Sequence, residues 1–82
     1  MSKNSDFANR DRLIELGITI AFARKLRGMS QEQLAEKAGI SRSHLSAIEA
    51  PNLVRAFSVD ILFSIADALN LKASDLLENR IR

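Results

Sequence analysis

The sequence predicts an all-α protein with five helices, and three observations indicate that class. Only one proline and three glycines interrupt the 82 residues, and these two residue types are the strongest breakers of regular structure. The good helix formers Ala, Leu, Glu, Lys, Arg and Gln are abundant in the remainder. No segment alternates apolar and polar residues as a half-buried strand would. At this length the chain forms one domain.

The first helix is predicted to begin near Asp6–Ala8 and to end near Arg27. Gly28 follows it as the glycine that commonly stops a helix. Gly17 lies inside the segment, so a break at that position is an alternative. Apolar residues recur there at intervals of three and four, which defines one buried face: Leu13, Leu16, Ile20 and Ala23.

Two short helices are predicted next. Ser30 is placed to cap the second helix, with a glutamine three residues later that completes a capping box. Gly39 ends that helix. Ser41 then caps a third helix, in which Leu45 and Ile48 face the core.

The last part of the chain is predicted to hold a loop and two more helices. The loop covers Pro51–Phe57, and Ser58 caps the fourth helix behind it. Asn70 is a residue that tolerates the left-handed conformation, so it is expected to end the fourth helix. A short fifth helix is expected over Ala73–Glu78.

The composition excludes several classes of function. The chain has no cysteine, which rules out disulfides and thiolate metal sites. The single histidine, His44, has no partners at ligand spacing, so we expect no metal or other cofactor. No nucleophile and base are paired, so we expect no enzyme. Neither a membrane span nor a signal peptide is visible, which predicts a cytoplasmic protein with no membrane partner.

The stretch Gln31–Glu49 has the residue types that a helix-turn-helix requires. Two helices that cross after a short turn need a small residue at their contact, and Ala35 is that residue. Gly39 tolerates the positive φ of the turn, and Ile40 fills the corner. The net charge of the chain is +2, but residues 24–55 carry six Lys and Arg against three Glu. This distribution suits a polyanionic partner.

This stretch closely resembles the helix-turn-helix of the phage Cro and C1 repressor family, also called the XRE family. The likeness spans about residues 16–77, and it includes Gly28-Met29-Ser30-Gln31 before the motif and the segment that starts at Ser58 after it. It implies a phage-repressor-like fold, here with an N-terminally extended first helix. It also implies a homodimer that regulates transcription from a roughly palindromic site in double-stranded DNA. The expected division is an N-terminal extension (1–12), a DNA-binding domain (13–78, motif 31–49) and a C-terminal tail (79–82).

The resemblance implies that the third helix lies in the major groove, with its first residues against the base edges. Arg42 is expected to be the main sequence reader, because its guanidinium fork matches O6 and N7 of guanine. The alternative for Arg42 is a solvated surface side chain. With Leu45 and Ile48 pointing inward, helical geometry also turns this face outward. The predicted base-contacting residues are Ser41, Arg42, Ser43 and Ala47.

Other residues are predicted to contact the DNA backbone. Gln31 begins the second helix, where free backbone amides suit a phosphate. For His44, the alternative to a phosphate contact is that its side chain packs beside the core. The loop after the third helix is about two residues longer than in the common family form, which sets Arg55 apart from the family pattern. The predicted backbone contacts are Gln31, Ser46, Asn52, Arg55 and His44.

The family resemblance also assigns a structural ion pair. Members of the family often pair an arginine of the first helix with a glutamate at the end of the recognition helix, and Arg24 and Glu49 occupy those positions. Such a pair would hold the first helix against the motif. The alternative for Arg24 is a phosphate contact.

A second apolar stripe departs from the family pattern. Ile14, Ile18 and Phe22 follow one another at four-residue spacing. Members of the family usually carry charged or polar residues at the positions of Ile18 and Phe22. An exposed apolar stripe of this kind is expected to be covered, either by the N-terminal extension or by a second subunit. The alternative function is that the chain is an antitoxin-like or other interaction module, and its protein partner then covers the stripe. The candidate interface residues are Ile14, Ile18, Phe22, Leu76, Leu77 and Ile81.

Overall fold

A computed structural model describes residues 2–53 and 56–81, with only the backbone described for residues 2–8. These residues contain five helices and no strand, which confirms the all-α prediction. The first helix begins several residues earlier than predicted, and the fifth ends one residue earlier. The helices are α1 (Ser2–Leu26), α2 (Gln31–Ala38), α3 (Arg42–Glu49), α4 (Val59–Ala68) and α5 (Ala73–Leu77).

Three serines cap the central helices as predicted. The hydroxyl oxygens of Ser30, Ser41 and Ser58 each accept a hydrogen bond from the backbone amide three residues later, at 3.0–3.1 Å. Each bond satisfies an amide that has no partner inside its helix. The side-chain oxygen of Gln33 accepts a hydrogen bond from the Ser30 amide at 2.8 Å, so the predicted capping box is present. Local sequence therefore sets where α2, α3 and α4 begin.

Left-handed residues follow four of the helices, including α2 and α4. Gly39 has φ +74° at the end of α2, and Asn70 has φ +58° just after α4. Both positions were predicted from residue type, because glycine and asparagine adopt this region at the lowest cost. Behind Asn70 the chain reverses through a bond from the Leu71 amide to the Ala66 carbonyl at 2.9 Å.

The core lies where all five helices meet: α4 supplies three of its buried apolar residues, and α1, α2 and α3 supply two each. Every helix except α1 is short, so the core rather than helix propensity stabilises them. The residue that α5 contributes is Leu76. The buried apolar residues are Ile20, Ala23, Leu34, Ala35, Leu45, Ile48, Leu62, Ile65, Ala66, Leu69 and Leu76.

The prediction that Leu76 belongs to an interface was wrong. Leu76 is 1% exposed, because α5 packs against α1 and α4 and turns this side chain into the core. Ile81 is half-buried and packs against the same cluster. Leu77 lies on the other side of α5 and is 62% exposed. Leu77 and the exposed part of Ile81 therefore remain available to a partner.

Gly17 marks the closest approach of two helices rather than a break in α1. The helix runs through this position without interruption. A Cβ atom built on Gly17 would lie 2.1 Å from the carbonyl oxygen of Ile48 at the end of α3. Only a residue without a side chain allows α1 and α3 to pack at this distance.

Candidate nucleic-acid interface

The turn between α2 and α3 is short and closed by backbone hydrogen bonds. The amide of Ile40 donates to the carbonyl of Ala35 at 3.0 Å, and the amide of Gly39 donates to the backbone carbonyl of Glu36 at 3.2 Å. Ala35 is buried between the helices, and Ile40 packs partly against the core. These contacts produce the arrangement of two helices around a tight turn that defines a helix-turn-helix.

The third helix presents one face to the core and the other to solvent. Leu45, Ile48 and Glu49 are buried. Arg42, Ser43 and Ser46 are exposed, and Ala47 is half-buried. The structure therefore brings four of the predicted DNA-contacting residues onto one side of α3: Arg42, Ser43, Ser46 and Ala47.

Arg42 is the one cation on the outer side of α3 within the described residues. No hydrogen bond or ion pair joins it to another described residue. Its position in the first turn of α3 puts a long donor side chain beside the exposed backbone amides of a helix start. The guanidinium and these amides all favour an anionic or acceptor-rich surface.

Ser41 and Ser43 differ in how free their hydroxyl groups are. The Ser41 oxygen already accepts the His44 amide at 3.0 Å as the cap of α3. It also lies 3.4 Å from the Ser43 oxygen, at the outer limit of a hydrogen bond. Ser41 thus has only its hydroxyl proton and one lone pair left for a ligand. The Ser43 hydroxyl has more of its hydrogen-bonding capacity available.

Arg24 of α1 and Glu49 of α3 form a buried, two-pronged ion pair. The Arg24 Nε donates to Glu49 Oε2 at 2.8 Å, and a terminal nitrogen donates to Oε1 at 3.0 Å. Another terminal nitrogen donates to the carbonyl of Met29 at 2.8 Å. Both residues are less than a tenth exposed. Parallel bonds of this type join arginine and carboxylate in a fixed orientation.

Gln31 extends this network to the start of α2. Its side-chain nitrogen donates to Glu49 Oε1 at 2.9 Å. The sequence indicated a backbone-contacting role for Gln31 but not this bond, because no local pattern connects residues 18 positions apart in the chain. The contact holds the amide group of Gln31 in one orientation beside the N-terminus of α2.

The remaining predicted contacts are more scattered. His44 is half-buried on α3, between the exposed and the core-facing sides. Asn52 is exposed in the turn that follows α3, where the amide of Leu53 donates to Ala50 at 3.2 Å. Arg55 lies outside the described residues.

Two kinds of feature are absent from the described residues. No group of three or more His, Cys, Asp or Glu side chains is arranged to hold a metal ion. No helix in this part of the chain is both long and apolar enough to cross a membrane.

The chain is similar in sequence to known helix-turn-helix proteins. Residues 20–76 match the helix-turn-helix family. The HTH-type transcriptional regulators SinR of Bacillus subtilis (strain 168) and of Bacillus licheniformis are each 37% identical over 65 residues. That alignment covers 79% of this chain and 58% of each relative, so the chain spans less than two thirds of their length.

One solved structure has a similar fold over nearly its full length. The restriction-modification controller protein C.AhdI from Aeromonas hydrophila superposes with a TM-score of 0.73 and 30% sequence identity. The superposition covers 78% of this chain and 94% of that one.

Proposed function

Because the chain belongs to the Cro/C1-type (XRE) family of helix-turn-helix proteins, we propose that it is a sequence-specific transcriptional regulator that binds double-stranded DNA as a homodimer. Residues 13–78 are the DNA-binding unit, flanked by residues 1–12 and 79–82. The protein acts by binding rather than by catalysis. Its place of action is the cytoplasm.

The observation that carries this proposal is the outer face of α3. Arg42, Ser43 and Ser46 are exposed there on a helix whose opposite side is buried. An α-helix of this kind fits the major groove, where each base pair has its own pattern of donors and acceptors. The α3 backbone is held by its Ser41 cap at one end and by the Arg24–Glu49 pair at the other. A rigid element of this type positions side chains well enough to read bases.

Arg42 is the residue we assign to base recognition. Its guanidinium can donate two parallel hydrogen bonds to O6 and N7 of one guanine, worth roughly 1–3 kcal/mol against the wrong base. Ser41 and Ser43 add contacts that discriminate less, and Ala47 offers an apolar contact to a thymine methyl.

Contacts to phosphates orient the protein without specifying sequence. We assign these to the start of α2 at Gln31, to Ser46 and His44 on α3, and to Asn52 and Arg55 in the following loop. Gln31 is the best supported of them, because its bond to Glu49 fixes its side chain at a helix N-terminus.

A homodimer gives the protein two such helices. Two-fold related recognition helices read two half-sites about 34–36 Å apart, which is one turn of DNA. The operator is therefore roughly palindromic. The relatives support regulation of transcription: two are named transcriptional regulators, and a third is named a restriction-modification controller.

Selection from a randomised pool of duplex DNA, followed by sequencing, tests this proposal. We expect the wild-type protein to enrich a two-fold symmetric motif, with half-sites one helical turn apart. Enrichment of no motif, together with a Kd that stays near the non-specific range of about 10⁻⁴–10⁻⁶ M, would overturn it.

A second candidate function is an interaction module whose main partner is another protein. The observation that favours it is the exposure of large apolar side chains outside the helix-turn-helix, such as Phe22 on α1 and Val59 and Phe63 on α4. Apolar groups gathered on a surface commonly mark protein contacts. The two functions are separated by the selection experiment, since an interaction module of this kind enriches no DNA motif.

A further inference from the structure

The outer face of α1 is apolar in its middle and charged at its two ends. We define this face by Asp11, Ile14, Ile18, Phe22 and Lys25, which lie on the side of α1 opposite the core residues Ile20 and Ala23. Ile18 is 49% exposed and Phe22 is 53% exposed, while Ile14 is half-buried. Leu26, also exposed, continues the apolar stripe toward the end of the helix.

The charges at the two ends have opposite signs and lack partners among the described residues. Asp11 is on the N-terminal side and Lys25 on the C-terminal side, and both are exposed. No ion pair or hydrogen bond joins either side chain to another described residue. The face therefore has an acidic end, an apolar centre and a basic end.

This pattern is self-complementary about Ile18. Asp11 lies seven residues before Ile18, and Lys25 lies seven residues after it. Ile14 and Phe22 lie four residues before and four after. When a second α1 packs antiparallel with its own Ile18 at the same level, residues equidistant from Ile18 stand at equal height. At 1.5 Å per residue, each charged pair then lies about 10 Å from the centre.

We propose that a second copy of this chain packs against the outer face of α1, with the two α1 helices antiparallel about a two-fold axis at Ile18. Asp11 then faces the partner's Lys25, and Ile14 faces the partner's Phe22. The two Ile18 side chains meet at the axis. This proposal rests on the homodimer of the proposed function and names the surface that forms it.

The charges favour this orientation over its alternatives. In a parallel pair, Asp11 would stand level with the partner's Asp11 and Lys25 with the partner's Lys25, and like charges repel. The antiparallel pair turns both repulsions into attractions. It also satisfies the requirement that a two-fold interface use the same patch on both subunits, and it removes the half-exposed Ile18 and Phe22 from water.

Charge-reversal variants test the pairing directly, by sedimentation equilibrium without DNA at low ionic strength. Asp11→Lys sets two positive side chains against each other across the interface, because the partner's Lys25 stands opposite the substituted position. Lys25→Glu likewise sets a negative side chain against the partner's Asp11. We expect each variant to dimerise about tenfold more weakly than the wild type, because two attractive pairs per dimer become repulsive. Phe22→Glu places charge in the apolar centre, and we expect it to be monomeric.

Mixing the two charge variants distinguishes an intermolecular contact from a folding defect. A heterodimer of Asp11→Lys with Lys25→Glu has two charged pairs. One joins the two substituted side chains, and the other joins the two native ones, so both pairs are again opposite in sign. We therefore expect an equimolar mixture to regain the wild-type dimerisation constant, although neither variant does so alone. Glu36→Lys and Lys37→Glu carry similar charge changes on exposed sites of α2, so we expect both controls to dimerise like the wild type.

Three results would overturn the proposal: a wild-type protein that stays monomeric, charge variants that dimerise like the wild type, or an equimolar mixture of the two variants that dimerises no more tightly than either variant alone. A monomeric wild type would also remove the homodimer from the proposed function, whereas the other two results bear only on the surface that forms the dimer. A symmetric motif enriched by a protein whose α1 variants dimerise normally would retain the proposed function and place the dimer contact elsewhere. Failure of the selection itself would instead contradict the proposed function.

Discussion

The guanidinium of Arg24 on α1 holds the carboxylate of Glu49 at the end of α3 through two bonds of 2.8 and 3.0 Å. Glu49 is the last residue of the helix that we assign to base recognition. The same carboxylate accepts a bond from Gln31 at the start of α2. One buried anion thus joins the first helix and both helices of the motif.

Removing one partner of this pair is expected to be strongly destabilising. Arg24→Met leaves the Glu49 carboxylate buried without its cation, and Glu49→Leu leaves the guanidinium without its anion. Each loss is worth about 3–5 kcal/mol in the free energy of unfolding, a large share of the roughly 4–12 kcal/mol expected for a chain of this size. Urea unfolding followed by circular dichroism measures both.

The double variant Arg24→Met/Glu49→Leu provides the internal control. With both charges gone, no ion remains buried alone, so we expect the double variant to be more stable than either single variant. A loss equal to the sum of the two single losses would show that the pair does not act as a unit.

The contact at Gly17 predicts that a small increase in size is harmful there. Gly17→Ala would improve helix propensity by about 1 kcal/mol, but its Cβ would meet the Ile48 carbonyl oxygen at 2.1 Å. Separating α1 from α3 costs more than that gain, since overpacking typically costs about 1–3 kcal/mol or more. We expect a lower melting temperature. Ala21→Gly, at a half-buried position of the same helix, gives a comparison for the size of the propensity effect. A stabilised Gly17→Ala protein would disprove the close approach.

Ser41 and Ser43 are expected to respond differently to the same substitution. Ser41→Ala removes the cap of α3 and costs about 1 kcal/mol of stability. Ser43→Ala removes no cap and leaves the melting temperature within error of the wild type, while it weakens DNA binding. Paired thermal melts and binding titrations separate the two roles. Equal losses of stability would show that Ser41 is not the dominant cap.

Local sequence predicts much of this fold, and the features that it does not predict depend on long-range packing. Ser30, Ser41, Ser58 and Gly39 act within a few residues of their own positions, so their caps and turns are predictable. Long-range packing is not. Nothing local distinguishes Leu76 from its neighbour Leu77, yet the docking of α5 buries the first and exposes the second.

In the candidate site, too, features set by local sequence are predictable and contacts between distant residues are not. The outward face of α3 follows from helical periodicity once Leu45 and Ile48 are placed inside. By contrast, the role of Gly17 depends on the end of α3, and the bond from Gln31 depends on a carboxylate 18 residues away. Neither partner is visible until the helices have packed.

Base recognition by Arg42 is tested most directly when Arg42→Ala is compared with the wild type in the duplex selection, across a salt series. Arg80→Ala, a change of the same charge at an exposed position after α5, is the control. We expect Arg42→Ala to lose preference at one guanine in each half-site, worth roughly 1–3 kcal/mol per guanine, and to retain salt-dependent binding through its phosphate contacts. An Arg42→Ala protein that enriches the wild-type motif unchanged would contradict the assignment of Arg42 as the base reader.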